Sequence, residues 1–138
     1  VWDVKRRDGG LMEVEFIAQS LQLCAGNSAA RSTVTRHALA RLARTGLLGA
    51  PDARMLIAAD MFWRRLQALL RLLCGPSPPK ELEDDLAPPA LKILLRGMDA
   101  PDLAALVEQA NTLARTVRTC FDQVIGPIPG GTGCVGRG

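Results

Sequence analysis

The sequence predicts an all-α fold, a five-helix bundle preceded by one strand, and three observations carry that prediction. Leu, Ala and Arg dominate a 138-residue chain that has no Tyr, three Phe and two Trp. That balance favours helix packing over sandwich cores, which draw on β-branched and aromatic residues. Apolar residues recur every three or four positions through most of the chain, the period of one helix face. Gly and Pro punctuate these segments, at Gly46, Gly75-Pro76 and Gly126-Pro127, where helices stop. A chain of this length buries roughly 68% of its unfolded surface, enough for one core and one domain.

The opening residues alternate, Trp2 and Val4 apolar against Asp3 and Lys5 polar, which reads as a strand. Gly9-Gly10 then breaks it. With no initiator Met and a start inside an element, the chain is expected to be the C-terminal piece of a larger protein. The domain reading is residues 1–10 as a remnant strand and Gly-Gly junction, 11–126 as a helical domain, and 127–138 as a disordered Gly-rich tail. The first helix is expected from about Leu11 to Cys24. The second spans Val34 to Thr45, capped by Ser32 or Thr33 and ended by Gly46. The third starts with Pro51 at its first position and runs to Leu73. A Pro-rich acidic linker, Gly75 to Pro88, leads to a short fourth helix from Pro89 to Arg96. The fifth takes Asp99 as its cap, Pro101 just inside, and ends at Ile125.

Helical geometry separates the jobs of these segments. The fifth has one apolar stripe through Leu106, Ala110, Ala114, Val117 and Phe121. The third is apolar on a broad face (Leu56, Ala59, Trp63, Leu66, Leu70) and nearly so on another (Ile57, Met61, Ala68, Leu72), so it is expected at the centre of the bundle. Asp60 and Arg64 would then form an i,i+4 pair on a narrow wet strip, contributing a few tenths of a kcal/mol. The first helix carries Leu11, Val14, Ile17, Ala18 and Leu21 on one side, and Met12, Phe16 and Leu23 nearly opposite. A helix at the edge of a small bundle needs one apolar face. Two faces imply a second body to pack against, expected to be absent from this chain.

The net charge of +3 is modest, and the arginines of the second helix are not interleaved with aromatics, so no nucleic acid is expected. No apolar run reaches transmembrane length, and no membrane or secretory segment is expected; a reducing cytoplasm is the default. Cys24, Cys74, Cys120 and Cys134 lie far apart with one His in the chain, which disfavours zinc and reads as incidental thiols.

The block Asp3-Val4-Lys5, Gly9-Gly10-Leu11, Glu13-Val14-Glu15-Phe16-Ile17-Ala18-Gln19 and Leu21-Gln22-Leu23 resembles the junction in glutamine synthetase adenylyltransferases where a nucleotidyltransferase domain hands over to a helical domain. The resemblance continues through Ala38-Leu39, Gly46-Leu47-Leu48, Asp52-Ala53 and Trp63-Arg64-Arg65-Leu66-Gln67 to the fifth helix. It looks more like the C-terminal copy of the two modules in that family, the copy that adds AMP. It implies a missing nucleotidyltransferase domain of the same parent chain as partner, with glutamine synthetase and the PII signalling protein beyond it. It also implies ATP and magnesium in the parent, not in this chain. The family's Gly-Ser-x-x-Asp-x-Asp pattern does not occur here, so this chain alone is expected to transfer nothing. Two alternatives stay open: a free-standing helical interaction module, and the equivalent domain of PII uridylyltransferase.

No catalytic or metal-ligating residue is expected. Met12, Glu15, Phe16, Gln19 and Leu23 are the candidate domain-docking set. Asp3 and Lys5, on one side of the opening segment, are weak candidates for facing a nucleotide, against a plain strand edge. His37, Arg41 and Arg44 share one helix face and are candidates for binding an acidic partner, against a solvated arginine face.

Overall fold

The computed structural model describes residues 2–26 and 34–126. Six helices follow in order: α1 (Leu11–Ala25), α2 (Thr35–Arg44), α3 (Ala50–Cys74), α4 (Leu82–Asp85), α5 (Pro88–Gly97) and α6 (Leu103–Ile125). The fold is all-α, and no strand occurs among the described residues. The expected Ser32 or Thr33 cap and the tail at 127–138 lie outside the described residues.

The predicted strand is a turn. A lone strand has no ladder partner here, and its backbone groups go to α1 instead. The carbonyls of Val4 and Lys5 accept from Leu11 and Met12 N–H at 3.0 and 3.1 Å. These satisfy two donors at the start of a helix whose N-cap, Gly10, offers no side chain. Asp3 closes the turn, its carbonyl accepting from Arg6 and Arg7 and its Oδ1 from Arg6 N–H. The alternation still reported something real, because Trp2 and Val4 are both buried in the core.

Gly9 fixes how this segment meets the bundle. Its φ is +73°, and a Cβ there would collide with the Ala114 carbonyl on α6. The Gly9 carbonyl accepts from the Trp63 indole N–H at 3.1 Å. Arg7 stacks its guanidinium over the Trp63 ring at 5.2 Å and donates to Asn111 Oδ1 at 2.9 Å. The segment is thereby tied to α3 and α6 through one carbonyl, one cation and one close backbone approach.

Helix α3 packs against α1, α2, α5 and α6 and so occupies the centre, as its length and apolar content predicted. Its second apolar face is not covered, however: Leu72 is 78% exposed and Met61 is exposed as well. Asp60 departs from expectation in the other direction. It is fully buried rather than on a wet strip. Oδ1 accepts from Arg64 Nε at 2.8 Å, and Oδ2 lies 3.4 Å from Arg36 Nε on α2. The local i,i+4 spacing was right; the third partner, from another helix, is what local spacing cannot encode.

Helix α4 is the one beyond the five expected, inside the stretch expected to be a linker. Leu82 and Leu86 enter the core there, and Asp85 Oδ2 accepts from Lys80 N–H at 2.9 Å. Asp99 ends α5 rather than starting α6. It adopts φ +54°, and the Ala100 N–H reaches the Leu95 carbonyl while Asp99 N–H reaches Arg96, the two bonds of a Schellman ending. The cap of α6 is Asp102, which accepts from Ala105 N–H at 2.7 Å, leaving Pro101 outside the helix. Gly46 ends α2 by the same pair of bonds, Leu47 to Leu42 and Gly46 to Ala43. Cys74 and Cys120 are free thiols, as expected, whereas Cys24 is disulfide-bonded.

Candidate functional site

Helix α1 separates into an inward and an outward face. Leu11, Val14, Ile17, Ala18 and Leu21 are buried against α2, α3 and α6. On the other side Met12 is 50%, Phe16 52% and Leu23 61% exposed. Positions 12, 16, 19 and 23 follow one another at helical spacing, so Gln19, also exposed, lies within the same stripe. Glu15 is half-buried at its edge. The whole candidate docking set therefore sits on one helix and one surface.

That surface extends onto α6. The Phe16 ring lies 5.8 Å from Phe121, tilted by 44°. Arg118 lies over the Phe121 ring at 5.1 Å and donates to Glu13 Oε2 at 2.9 Å. The hydrogen bond to Glu13 and that residue's charge raise the Arg118 guanidinium above its ordinary value, against a smaller desolvation effect. A charged rim of Glu13, Arg118 and Asp122 thus borders an apolar strip with two aromatic rings. Phe121 and Arg118 were not expected at this surface, since they lie some hundred residues from α1 and no helical period links them.

The other candidates lie apart from it. Asp3 and Lys5 border a half-open cavity of about 370 Å³ between the opening segment and the end of α3, with Arg6, Gln67 and Arg71. His37, Arg41 and Arg44 are exposed around a concavity of about 280 Å³ on α2, with Ala40 between them. The structure brings together the members of each group and joins none of the groups to another.

Arg7, Asn111, Trp63 and Asp60 make up the polar interior that sequence reasoning missed. Burial lowers the Arg7 guanidinium pKa from its ordinary value, with Asp8 acting the other way. Burial also pushes the Cys120 thiol up to about 11, with Asp52 adding to it. Among the described residues no group of three or more His, Cys, Asp or Glu is placed to hold a metal ion. No helix there is long and apolar enough to cross a membrane.

A family model described as GlnD PII-uridylyltransferase matches residues 2–125. Over 129 residues the chain is 36% identical to the bifunctional glutamine synthetase adenylyltransferase/adenylyl-removing enzyme of Rhodopseudomonas palustris, covering 91% of this chain and 13% of the relative. Enzymes with the same name from Xanthobacter autotrophicus and Rhizobium meliloti are 36% and 35% identical over 130 residues, again across 91% of this chain and 12% and 13% of theirs. The chain thus spans about an eighth of the length of these curated relatives. No solved structure matches.

Proposed function

Since this chain belongs to the family described as GlnD PII-uridylyltransferase, we propose that it is the helical domain following the C-terminal nucleotidyltransferase domain of a bifunctional glutamine synthetase adenylyltransferase/adenylyl-removing enzyme. In this role it supports and regulates the transfer of AMP to glutamine synthetase in nitrogen assimilation, in the cytoplasm. The names of its relatives support the choice of parent. By resemblance, ATP and magnesium belong to the catalytic domain of that parent. The described residues of this chain offer no donor cluster that fits the metal, and no step of the transfer is assigned to them.

One observation carries the reading: α1 leaves Met12, Phe16 and Leu23 half exposed or more while its opposite stripe is sealed. Apolar strips of this kind are what proteins cover with a partner. The partner proposed here is the nucleotidyltransferase domain of the same parent chain, docked along Met12, Phe16, Gln19 and Leu23, with Glu15 on the border. The description of the matching family favours a second parent, a PII uridylyltransferase. The relatives that match over nine-tenths of this chain carry the adenylyltransferase name instead.

The test is co-expression with a nucleotidyltransferase domain from a parent of the relatives' class. A stable complex that transfers AMP to glutamine synthetase is expected. Phe16→Glu should abolish the complex, and it should also remove weak self-association of the chain alone, seen by sedimentation. The fold should persist, because Phe16 gives up about 1 kcal/mol of ring contact with Phe121. A complex indifferent to Phe16→Glu would rule out docking through α1. Transfer of UMP to PII instead of AMP to glutamine synthetase would select the second parent.

A further inference from the structure

The cavity between the opening segment and the end of α3 lies apart from the docking stripe and is rich in cations. Its volume is about 370 Å³, within the range of small-molecule pockets, roughly 300–1,000 Å³. Three cations line it, Lys5, Arg6 and Arg71, against one carboxylate, Asp3. Among the described residues none of the three cations forms an ion pair. This contrasts with Arg36, Arg64 and Arg118, each of which lies against a carboxylate.

The fold, not chance proximity, sets this arrangement. Lys5 and Arg6 follow the Asp3 turn, which is held by Arg6 and Arg7 N–H on the Asp3 carbonyl and pinned to α1 through the Val4 and Lys5 carbonyls. Arg71 lies in the last turn of α3, one turn beyond Gln67. The Gly75 N–H on the Arg71 carbonyl is the last bond of that helix, so the three cations act against the negative end of its dipole. The remaining wall, Leu70, Pro76, Ser77 and Pro78, is largely apolar with one hydroxyl.

We infer that this cavity binds a phosphate-bearing small anion through Lys5, Arg6 and Arg71, with Gln67 and Ser77 as neutral donors. Two guanidinium groups and an ammonium suit a multiply charged tetrahedral oxyanion, because each guanidinium presents a planar fork to two oxygens. A monocarboxylate would leave two of the three charges unmatched. Phosphate chemistry has two sources here, an inorganic polyphosphate or a nucleoside phosphate laid against Pro76 and Pro78.

Isothermal titration of the 138-residue chain with tripolyphosphate, and separately with ADP, tests the inference. Saturable binding of at least one probe is expected at low salt, weakening as salt rises. Arg71→Ala and Lys5→Ala should each weaken it about tenfold, with Arg71→Lys recovering part of the loss. Arg41→Ala, on the far basic concavity, should leave it unchanged. Binding of both probes identifies the phosphate chain as the recognised group; tighter binding of ADP identifies a nucleotide. All three cations are exposed, so these variants should keep the helical spectrum of the parent chain. If Arg71→Ala nevertheless unfolds, Lys5→Glu reads the same site. No saturable binding of either probe, or equal losses from Arg41→Ala and Arg71→Ala, would overturn the inference.

Discussion

Gly9 concentrates more constraint than any other residue described. Its positive φ and its approach to the Ala114 backbone exclude a side chain for two separate reasons, and its carbonyl holds the buried Trp63 indole. Gly9→Ala should therefore lose about 2–4 kcal/mol, read from the midpoint of urea unfolding; a loss below about half a kcal/mol would mean that the turn relaxes freely. Cys120 yields a second expectation. Its thiol is protonated in folded and unfolded chain alike below about pH 9, its ordinary value, and in the folded chain burial holds the proton until about pH 11. Between those values the unfolded chain ionises first, so stability falls as pH rises through that window. At about pH 8 an alkylating reagent should leave Cys120 unmodified in the native chain and modify it after unfolding, followed by peptide mass spectrometry. Residue-scale facts of this kind are only half legible in sequence. Gly9-Gly10 announces a break, but not the carbonyl it must approach, and Asp60 announces Arg64 but not Arg36.

The helices themselves were legible because their signals are local. The buried faces of α1, α2 and α6 follow the apolar period (Leu11, Val14, Ile17, Leu21; Ala38, Leu39, Leu42; Leu106, Ala110, Ala114, Val117), and their ends fall at Gly and Pro. Errors arose where two local rules competed for one residue. Asp99 sits before Pro101 and resembles a cap, yet it is Asp102, further along the loop, that has the extended backbone a cap requires. Asp99 instead takes the left-handed position that closes α5, a place better suited to Gly. Its distant charge partner, Arg65 at 4.0 Å, is exposed and contributes little. Asp99→Gly should accordingly raise the thermal midpoint, by the equivalent of about 0.5–1 kcal/mol. A fall in the midpoint would show that the Arg65 contact outweighs the backbone strain. The single turn of α4 was missed for the opposite reason: so short a helix cannot show a period, and only the burial of Leu82 and Leu86 explains why the acidic stretch folds back.

At the scale of the whole molecule, the first ten residues decide what kind of unit this is. Read from sequence, they are a remnant strand and Gly-Gly junction left over from a neighbour. Their interactions argue otherwise. Trp2 and Val4 are in the core, Arg7 spans Trp63 and Asn111, and two amides of α1 find their acceptors outside their own helix, on Val4 and Lys5. Burial of an indole and a branched side chain, together with these hydrogen bonds to α1, Trp63 and Asn111, outweighs the entropy of ordering a short exposed turn. Removing residues 1–10 should therefore cost about 4 kcal/mol or more. The measurement is the urea midpoint together with Trp63 fluorescence, which is unobscured once Trp2 is gone and should shift to the red as its ring meets water. An unchanged midpoint with a blue emission would mark the segment as dispensable and confine the folding unit to the helices. A large loss would mean that the opening segment is an integral part of the helical unit. The angle at which the opening segment meets α1 would then be fixed by Gly9 and Trp63 rather than by a flexible hinge.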